Sequence, residues 1–332
     1  MSQSQLQRAV VPAGLHGERL DRAASALFDG PWSRSRLAHW IRDGRMTLAG
    51  LVTSKPGAPV EAGQELVLDV PVAEPMDEES GLEPVIVYQD ESLAVLSKPS
   101  GLLMHGRFRG DPRASVARWL AERFGSGLPT AQGAERPGIV HRLDSETSGV
   151  CVVAFDEVVF IDLMEQFAAR TVEKTYRALV YGKPRFESDW IERSLARDAR
   201  NPSRVRALRP GAGGPGVRDA LTFWKVKERF EGFADIEAQP RTGRTHQIRV
   251  HLASIDLPIL GDPIYKARNY GPGLLPPGAP PLTRTQLHAE RLSFEHPTKG
   301  ERVEFTAPLA DDFAAIRAFL AATLPAPEQG WA

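Results

Sequence analysis

Apolar and polar positions follow two different periods along this chain, and the period changes with region. In RLDRAASALF, residues 19–28, Leu20, Ala24, Leu27 and Phe28 share one side of a helix turning every 3.6 residues. After a Gly30-Pro31 break, WSRSRLAHWIRDG repeats that pattern with Leu37, Trp40 and Ile41; Ser33 stands where an N-cap belongs and Gly44 where a left-handed closing residue belongs. MTLAGLVT predicts two short strands around Ala49-Gly50, and GQELVLDV alternates Leu66, Leu68 and Val70 as a third strand. These elements predict a small domain over residues 14–70. PVAEPMDEESGLEP, residues 71–84, is acidic and proline-containing and predicts a linker.

Residues 85–325 predict a larger domain. VIVYQDESLAVLSKP reads as two strands around Asp90-Glu91, ending at Lys98-Pro99. VCVVAF, KTYRALVYG, ALTFWKVKERF, FADIEAQP, RLSFEHP and RVEFTAP read as strands. VFIDLMEQFAAR predicts a helix with Phe160, Leu163, Met164 and Phe167 in register, and DDFAAIRAFLAATL a final one. TGRTHQIRVHLASI begins as a loop and becomes a helix, with Thr245 as its cap and Ile248, Leu252 and Ile255 on one side. No regular strand–helix–strand spacing emerges, so the expected class is α+β with a largely antiparallel sheet. RPGAGGPG and GPGLLPPGAPP, at 209–216 and 271–281, predict loops. The first formally matches G-x-G-x-x-G, but no strand precedes it and Pro215 blocks a helix start, so it predicts no nucleotide site.

Composition narrows the function without deciding it. The 332 residues carry a formal net charge of -1, so any nucleic-acid binding must come from local basic patches. One cysteine, Cys151, rules out an intrachain disulfide. The eight histidines show no zinc spacing, and no apolar run is long enough to cross a membrane. MSQSQLQRAV lacks the apolar core of a secretion signal. The expected protein is cytoplasmic, monomeric and metal-free.

Three stretches carry candidate chemistry. GIVHRLDSETSGV, residues 138–150, packs His141, Arg142, Asp144 and Glu146 together. Two carboxylates that close can serve as acid and base on a sugar, so a glycoside-cleaving site stays open alongside a plain charged turn. QPRTGRTHQIRVH concentrates Arg241, Arg244, His246, Arg249 and His251; an arginine placed beside a carboxylate keeps it ionised and fixes its direction. In EKTYRALV, Lys174, Tyr176 and Ala178 share one strand face, and a tyrosine among cations can stack on a nucleobase.

In their order along the chain, LAVLSKPSGLLMH, HRLDSETSG, KTYRALVYG, RTGRTHQIRVHLA, LPILGDPIY and LHAERLSFEHP resemble the RluA family of pseudouridine synthases, from about residue 84 to 320. HRLDxxTSG and RTGRTHQIR are strong signatures. The front segment, with RLD, SRSRL and a closing VEAGQELVLDV, resembles an S4 RNA-binding domain, with Ala49-Gly50 where that family often has Asn-Gly. The resemblance implies a pseudouridine synthase fold behind a small α/β S4 domain. It implies a cofactor-free isomerase that detaches uracil from C1′ of an RNA uridine, rotates it and reattaches it through carbon.

The family's essential aspartate falls on Asp144, acting either as nucleophile at C1′ or as base at C2′. Its active-site tyrosine falls on Tyr176, which stacks on the base and takes the C5 proton. Its aspartate-pairing arginine falls on Arg244, with Arg249 as the alternative on the same segment. Arg142 reaches for RNA, Lys174 and Arg249 add cationic contacts, and Leu102 and Ile248 form apolar walls. Arg34, Arg36 and Arg42 on the second helix are the S4-like RNA contacts. Thr147-Ser148-Gly149 makes the turn, His141 is structural and Glu146 is a bystander. Large-subunit ribosomal RNA is the expected substrate. Transfer RNA and a non-catalytic RNA-binding factor on the same fold are the alternatives.

Overall fold

A computed structural model describes residues 4–28, 34–71, 81–106, 111, 113–133, 136–199, 201, 204–266 and 270–326. The chain divides into two compact units: residues 1–80 with 106–114, and residues 81–105 with 115–332. Gly30, Pro31, Ser33 and residues 72–80 of the expected linker lie outside the described residues.

The first unit has strands β1 (Ser4–Val10), β2 (Met46–Leu48), β3 (Leu51–Val52) and β4 (Glu65–Pro71) and helices α1 (Leu20–Leu27) and α2 (Arg34–Arg42). The sheet order is β1-β4-β2-β3. Strand β1 lies ahead of the 14–70 segment yet pairs antiparallel with the full length of β4. Ala49 and Gly50 both have positive φ, 51° and 79°, the two-residue hairpin turn whose twist matches its strands. Leu20, Ala24, Leu37 and Ile41 bury the predicted helix faces against Met46, Leu66 and Leu68. Each large aliphatic side chain buried there contributes about 1.5–3 kcal/mol.

The second unit carries β5 (Val85–Gln89), β6 (Leu93–Lys98), α3 (Val116–Phe124), β7 (Ser148–Ala154), α4 (Glu157–Ala169), β8 (Glu173–Tyr181), β9 (Ser188–Glu192), β10 (Leu195–Arg197), β11 (Val205–Ala207), β12 (Leu221–Phe230), β13 (Phe233–Pro240), α5 (Gln247–Ala253), β14 (Leu287–Glu295), β15 (Arg302–Thr306) and α6 (Asp311–Thr323). Nine strands form one sheet in the order β5-β6-β7-β14-β8-β13-β12-β9, with β15 on β14. Its pairings are antiparallel except β7 with β14, as the α+β reading expects. Alternate residues of β8 feed two cores. Ala178 and Val180 pack with Ile248 and Leu252 of α5, while Leu179 and Tyr181 pack with Phe313, Ile316 and Leu320 of α6.

Two local expectations are corrected. Ser148 and Gly149 belong to β7 and are not turn residues. Gly149 has φ 114°, and a Cβ there would lie 2.1 Å from the Ala289 carbonyl oxygen, so only glycine lets β14 approach β7. The residue at the start of α5 is His246, not Thr245. It adopts a left-handed φ of 57° and its side chain does not cap the helix.

Candidate active site

The segment from His141 to Thr147 leads into β7 and is clamped from behind. Lys98, almost wholly buried at the end of β6, donates through Nζ to the carbonyls of Pro99 and Leu102 at 2.8 Å and of Ser145 at 3.0 Å. The Ser145 carbonyl also accepts from Gly101 N–H at 2.8 Å. The Glu146 carbonyl accepts from Ser100 Oγ at 2.9 Å and from Arg284 Nη1 at 3.3 Å. Thr147 N–H closes the turn on the Asp144 carbonyl at 3.1 Å. The carbonyls of Asp144, Ser145 and Glu146 are therefore all held, and the Asp144 carboxylate lines a cavity of about 490 Å³. Burial pulls Lys98 down to about 7, with nearby Arg284 pulling the same way and Cys151 and Asp144 opposing.

The flanking residues separate by role. His141 Nε2 accepts from Val152 N–H at 3.0 Å and the ring stacks on Phe167, with centroids 4.6 Å apart. Burial, helped by the Lys174 charge, pushes this imidazole down to about 3, so it stays neutral as a structural element. Glu146 turns away from the cavity and accepts from Thr285 Oγ1 through Oε2. A paired-carboxylate sugar site is thus absent among the described residues, since Asp144 is the one acid lining the cavity. Arg142 is exposed beside it.

The arginine facing Asp144 is Arg249. Its Nη1 lies 3.5 Å from Asp144 Oδ2. Its Nε and Nη2 form a fork with Asp262 Oδ2 and Oδ1 at 2.7 and 2.9 Å. Asp262 Oδ1 in turn accepts from the backbone N–H groups of Ile264 and Tyr265. Burial disfavours the Arg249 charge, but the bonds and charge of Asp262, reinforced by Asp144, raise the guanidinium above its ordinary range. Arg244, expected in this place, is exposed and donates through Nε to the Asp219 carbonyl at 3.3 Å. The reason is local: the turn before α5 is held by Gln247, whose Oε1 accepts from Arg244 N–H at 3.1 Å and from Thr242 Oγ1 at 2.7 Å. Arg249 lies inside the helix two residues later, on its inward side. It lines the cavity while only 4% exposed.

Tyr176, on β8, shares the cavity. Burial first, then the Asp144 charge, pushes its hydroxyl far above the usual phenol range. Lys174, two residues earlier on the same face, lies 5.9 Å from the Phe167 ring centroid, and burial lowers its pKa. Ile248 lines the cavity as expected; Leu102 does not, its carbonyl serving Lys98 instead. His246 Nδ1 sits 2.8 Å from Tyr265 Oη, and its Nε2 lies 3.9 Å from Asp144 Oδ2. Burial keeps that histidine below its ordinary value.

In the first unit, Arg42 is exposed, and Arg34 donates to the buried Asp21 at 3.1 Å. The Arg36 side chain lies outside the described residues.

Lys98, Arg284, Asp262 and Tyr265 were not assigned roles by the sequence. Lys98 and Asp262 had one available signal: each precedes a proline in a stretch shared with the resembled family, LSKP and LGDP.

Among the described residues the cavity is lined by Arg136, Arg142, Arg170, Lys174, Arg241, Arg244 and Arg249 against the one carboxylate of Asp144. So one-sided a field suits a polyanion, and one acid under a fixed guanidinium suits chemistry at a single carbon of it. This is a nucleic-acid-binding type of site on a mixed, mainly antiparallel sheet. Comparison with known proteins gives its family. Residues 92–254 match the RNA pseudouridylate synthase family. The chain is 34% identical to ribosomal large subunit pseudouridine synthase D of Xanthomonas campestris over 330 residues, 96% of this chain and 93% of that protein. It is 33% identical to an uncharacterised RNA pseudouridine synthase of Bacillus subtilis over 306 residues, 90% of this chain and 93% of the other. Among solved structures, human RNA pseudouridylate synthase domain containing 4 aligns with a TM-score of 0.56 at 26% identity, covering 73% of this chain and 94% of that one. The chain belongs to the RluA-type RNA pseudouridine synthases and is an isomerase.

Proposed function

We propose that this enzyme isomerises uridines of large-subunit ribosomal RNA in the cytoplasm, with Asp144 as the group that acts on the ribose. The observation that carries the catalytic part is the Arg249 guanidinium 3.5 Å from the one carboxylate that lines the cavity among the described residues. The substrate reading rests on the relatives named as ribosomal large subunit synthases.

In the proposed sequence Asp144 removes the C2′ proton. The C2′–H electrons form the C1′=C2′ bond of a glycal, and the C1′–N1 pair leaves with uracil. The freed base rotates while Tyr176 stacks on it. C5 then bonds to C1′ as Asp144 returns its proton to C2′, and the C5 proton passes to N1 of the rotated base through the Tyr176 hydroxyl, which gives up its own proton as it takes the new one. The Asp144 charge helps to hold the tyrosine proton in place.

Flipping the nucleotide into the cavity is required, because C1′ is out of reach inside a stacked helix. Arg142, exposed at the cavity, is proposed to occupy the space the nucleotide leaves. Lys174 adds a cationic contact inside. The first unit, with Arg34, Arg36 and Arg42, is proposed to grip flanking RNA as an S4-like domain.

The test is a map of pseudouridines in cellular RNA from cells carrying the wild-type or Asp144→Asn gene. Loss of one or a few sites in large-subunit RNA supports the reading; loss confined to transfer RNA replaces the substrate. Product formed by purified Asp144→Asn overturns the role of the carboxylate.

A further inference from the structure

Strand β9 is the outer edge of the nine-stranded sheet and pairs only through β12. In that pairing Trp190 stands opposite Phe223, with ring centroids 5.1 Å apart. The two rings point away from the core that their neighbours Ile191 and Trp224 help to build. Trp190 is 46% exposed, an unusual position for the largest apolar side chain. The Arg241 guanidinium lies 5.8 Å from its ring centroid.

Arg241 links this ring to the chemistry. It follows the last residue of β13 and lines the Asp144 cavity. It also lines a second cleft of about 180 Å³, which shares Arg170, Lys174 and Pro240 with the cavity and adds Arg291. Two acids, Glu173 and Glu304, share that cleft and leave the cations in excess. A path of positive charge therefore leaves the cavity beside Lys174, passes Arg241 and has an open indole at its side.

We propose that Trp190, backed by Phe223 and joined to the cavity by Arg241, is a stacking site for an unpaired nucleotide of the substrate RNA next to the target uridine. Cations that follow a phosphate backbone beside an aromatic face are the arrangement that holds single-stranded nucleic acid, because every base offers a π-face. Flipping the target uridine leaves its neighbour without a stacking partner on one side, and the indole supplies one. The site deepens the proposed function, and it rests on the enzyme acting on RNA strands longer than the flipped nucleotide.

The experiment uses the full-length enzyme and two RNA substrates sharing one target loop. One carries single-stranded nucleotides on both sides of the loop target; the other replaces them with paired ones. Wild-type turnover on both, read by tritium release from uridine C5, reports on the enzyme reading separately. For Trp190→Ala the expected result is a Kd and KM weakened about tenfold on the unpaired substrate, with kcat and the paired substrate affected less than about twofold. Trp190→Phe is expected to recover most of the loss, because a ring remains. Equal binding of the unpaired substrate by Trp190→Ala and wild type overturns the site. So does an equal loss on both substrates, which marks a disturbed edge strand or a protein-facing role.

Discussion

Arg249 holds Asp262 with two donors and faces Asp144 with a third. The fork fixes the guanidinium plane, so its charge reaches Asp144 in one direction without rearrangement. Lysine offers a point charge and no fork. Arg249→Lys is therefore expected to lower kcat/KM by at least about a hundredfold, the scale of losing one fixed electrostatic group. Arg244→Gln, which removes an exposed cation bonded to the Asp219 carbonyl, is expected to lose less than about tenfold, mainly in KM. Steady-state kinetics on one RNA substrate checks both; a larger loss in Arg244→Gln would reverse the assignment.

Lys98→Met keeps the length of the side chain and removes all three donors to Pro99, Leu102 and Ser145. Stability is expected to fall by about 2–4 kcal/mol, the scale of leaving buried carbonyls unpaired, less the relief of a buried charge. Turnover should fall further than the folded fraction does, since the Ser145 carbonyl adjoins Asp144. Denaturant unfolding and kinetics of the folded fraction separate the two effects.

Tyr176→Phe keeps the ring and removes the hydroxyl. RNA affinity should stay near wild type while turnover falls by about a hundredfold or more, the range of a lost general base. Tyr176→Leu should lose affinity as well. Equal turnover in Tyr176→Phe and wild type would remove the tyrosine from the C5 step.

His251 is fully buried, with Nδ1 2.9 Å from Thr222 Oγ1 and Nε2 3.2 Å from the Arg193 carbonyl. Burial pulls it from an ordinary 6.5 down to about 4, against an opposing bond to Arg193. Below pH 6.5 the unfolded chain gains a proton that the folded chain refuses until about pH 4. Stability from this residue is complete above pH 6.5 and is lost as pH falls through that window, by on the order of 3 kcal/mol in all. His251→Gln should show a shallower decline of unfolding free energy between pH 7 and 4.5 than wild type. Parallel declines would exclude His251 from the acid sensitivity.

Much of this was legible in the chain. The 3.6-residue stripes of α1, α2 and α4 and the alternation in β4 survived because each buries one face, whereas β13 is buried on both faces and shows only as a strand-forming run. Strand β1 was missed because SQLQRAV is polar on one face and weakly apolar on the other, so only its partner β4 reveals it. Asp144 stood out through its motif. Its arginine did not, because choosing between Arg244 and Arg249 depends on where the helix begins, and a left-handed His246 and a buried Gln247 set that start. Asp262 was invisible as a partner because it lies 13 residues from Arg249, in a loop whose path no periodicity fixes.

The order of strands has a consequence for when this enzyme comes into being. Asp144 precedes β7 and Tyr176 lies on β8, but the two strands are not neighbours; β14 runs between them. Gly149 is pressed against Ala289, and Ser148 Oγ meets His288 Nδ1 from 140 residues away. A chain emerging from the ribosome holds both residues long before it holds β14. Until β14 has been made and inserted, Asp144 and Tyr176 have no fixed geometry relative to one another, so the proposed reaction can begin only on a nearly complete chain.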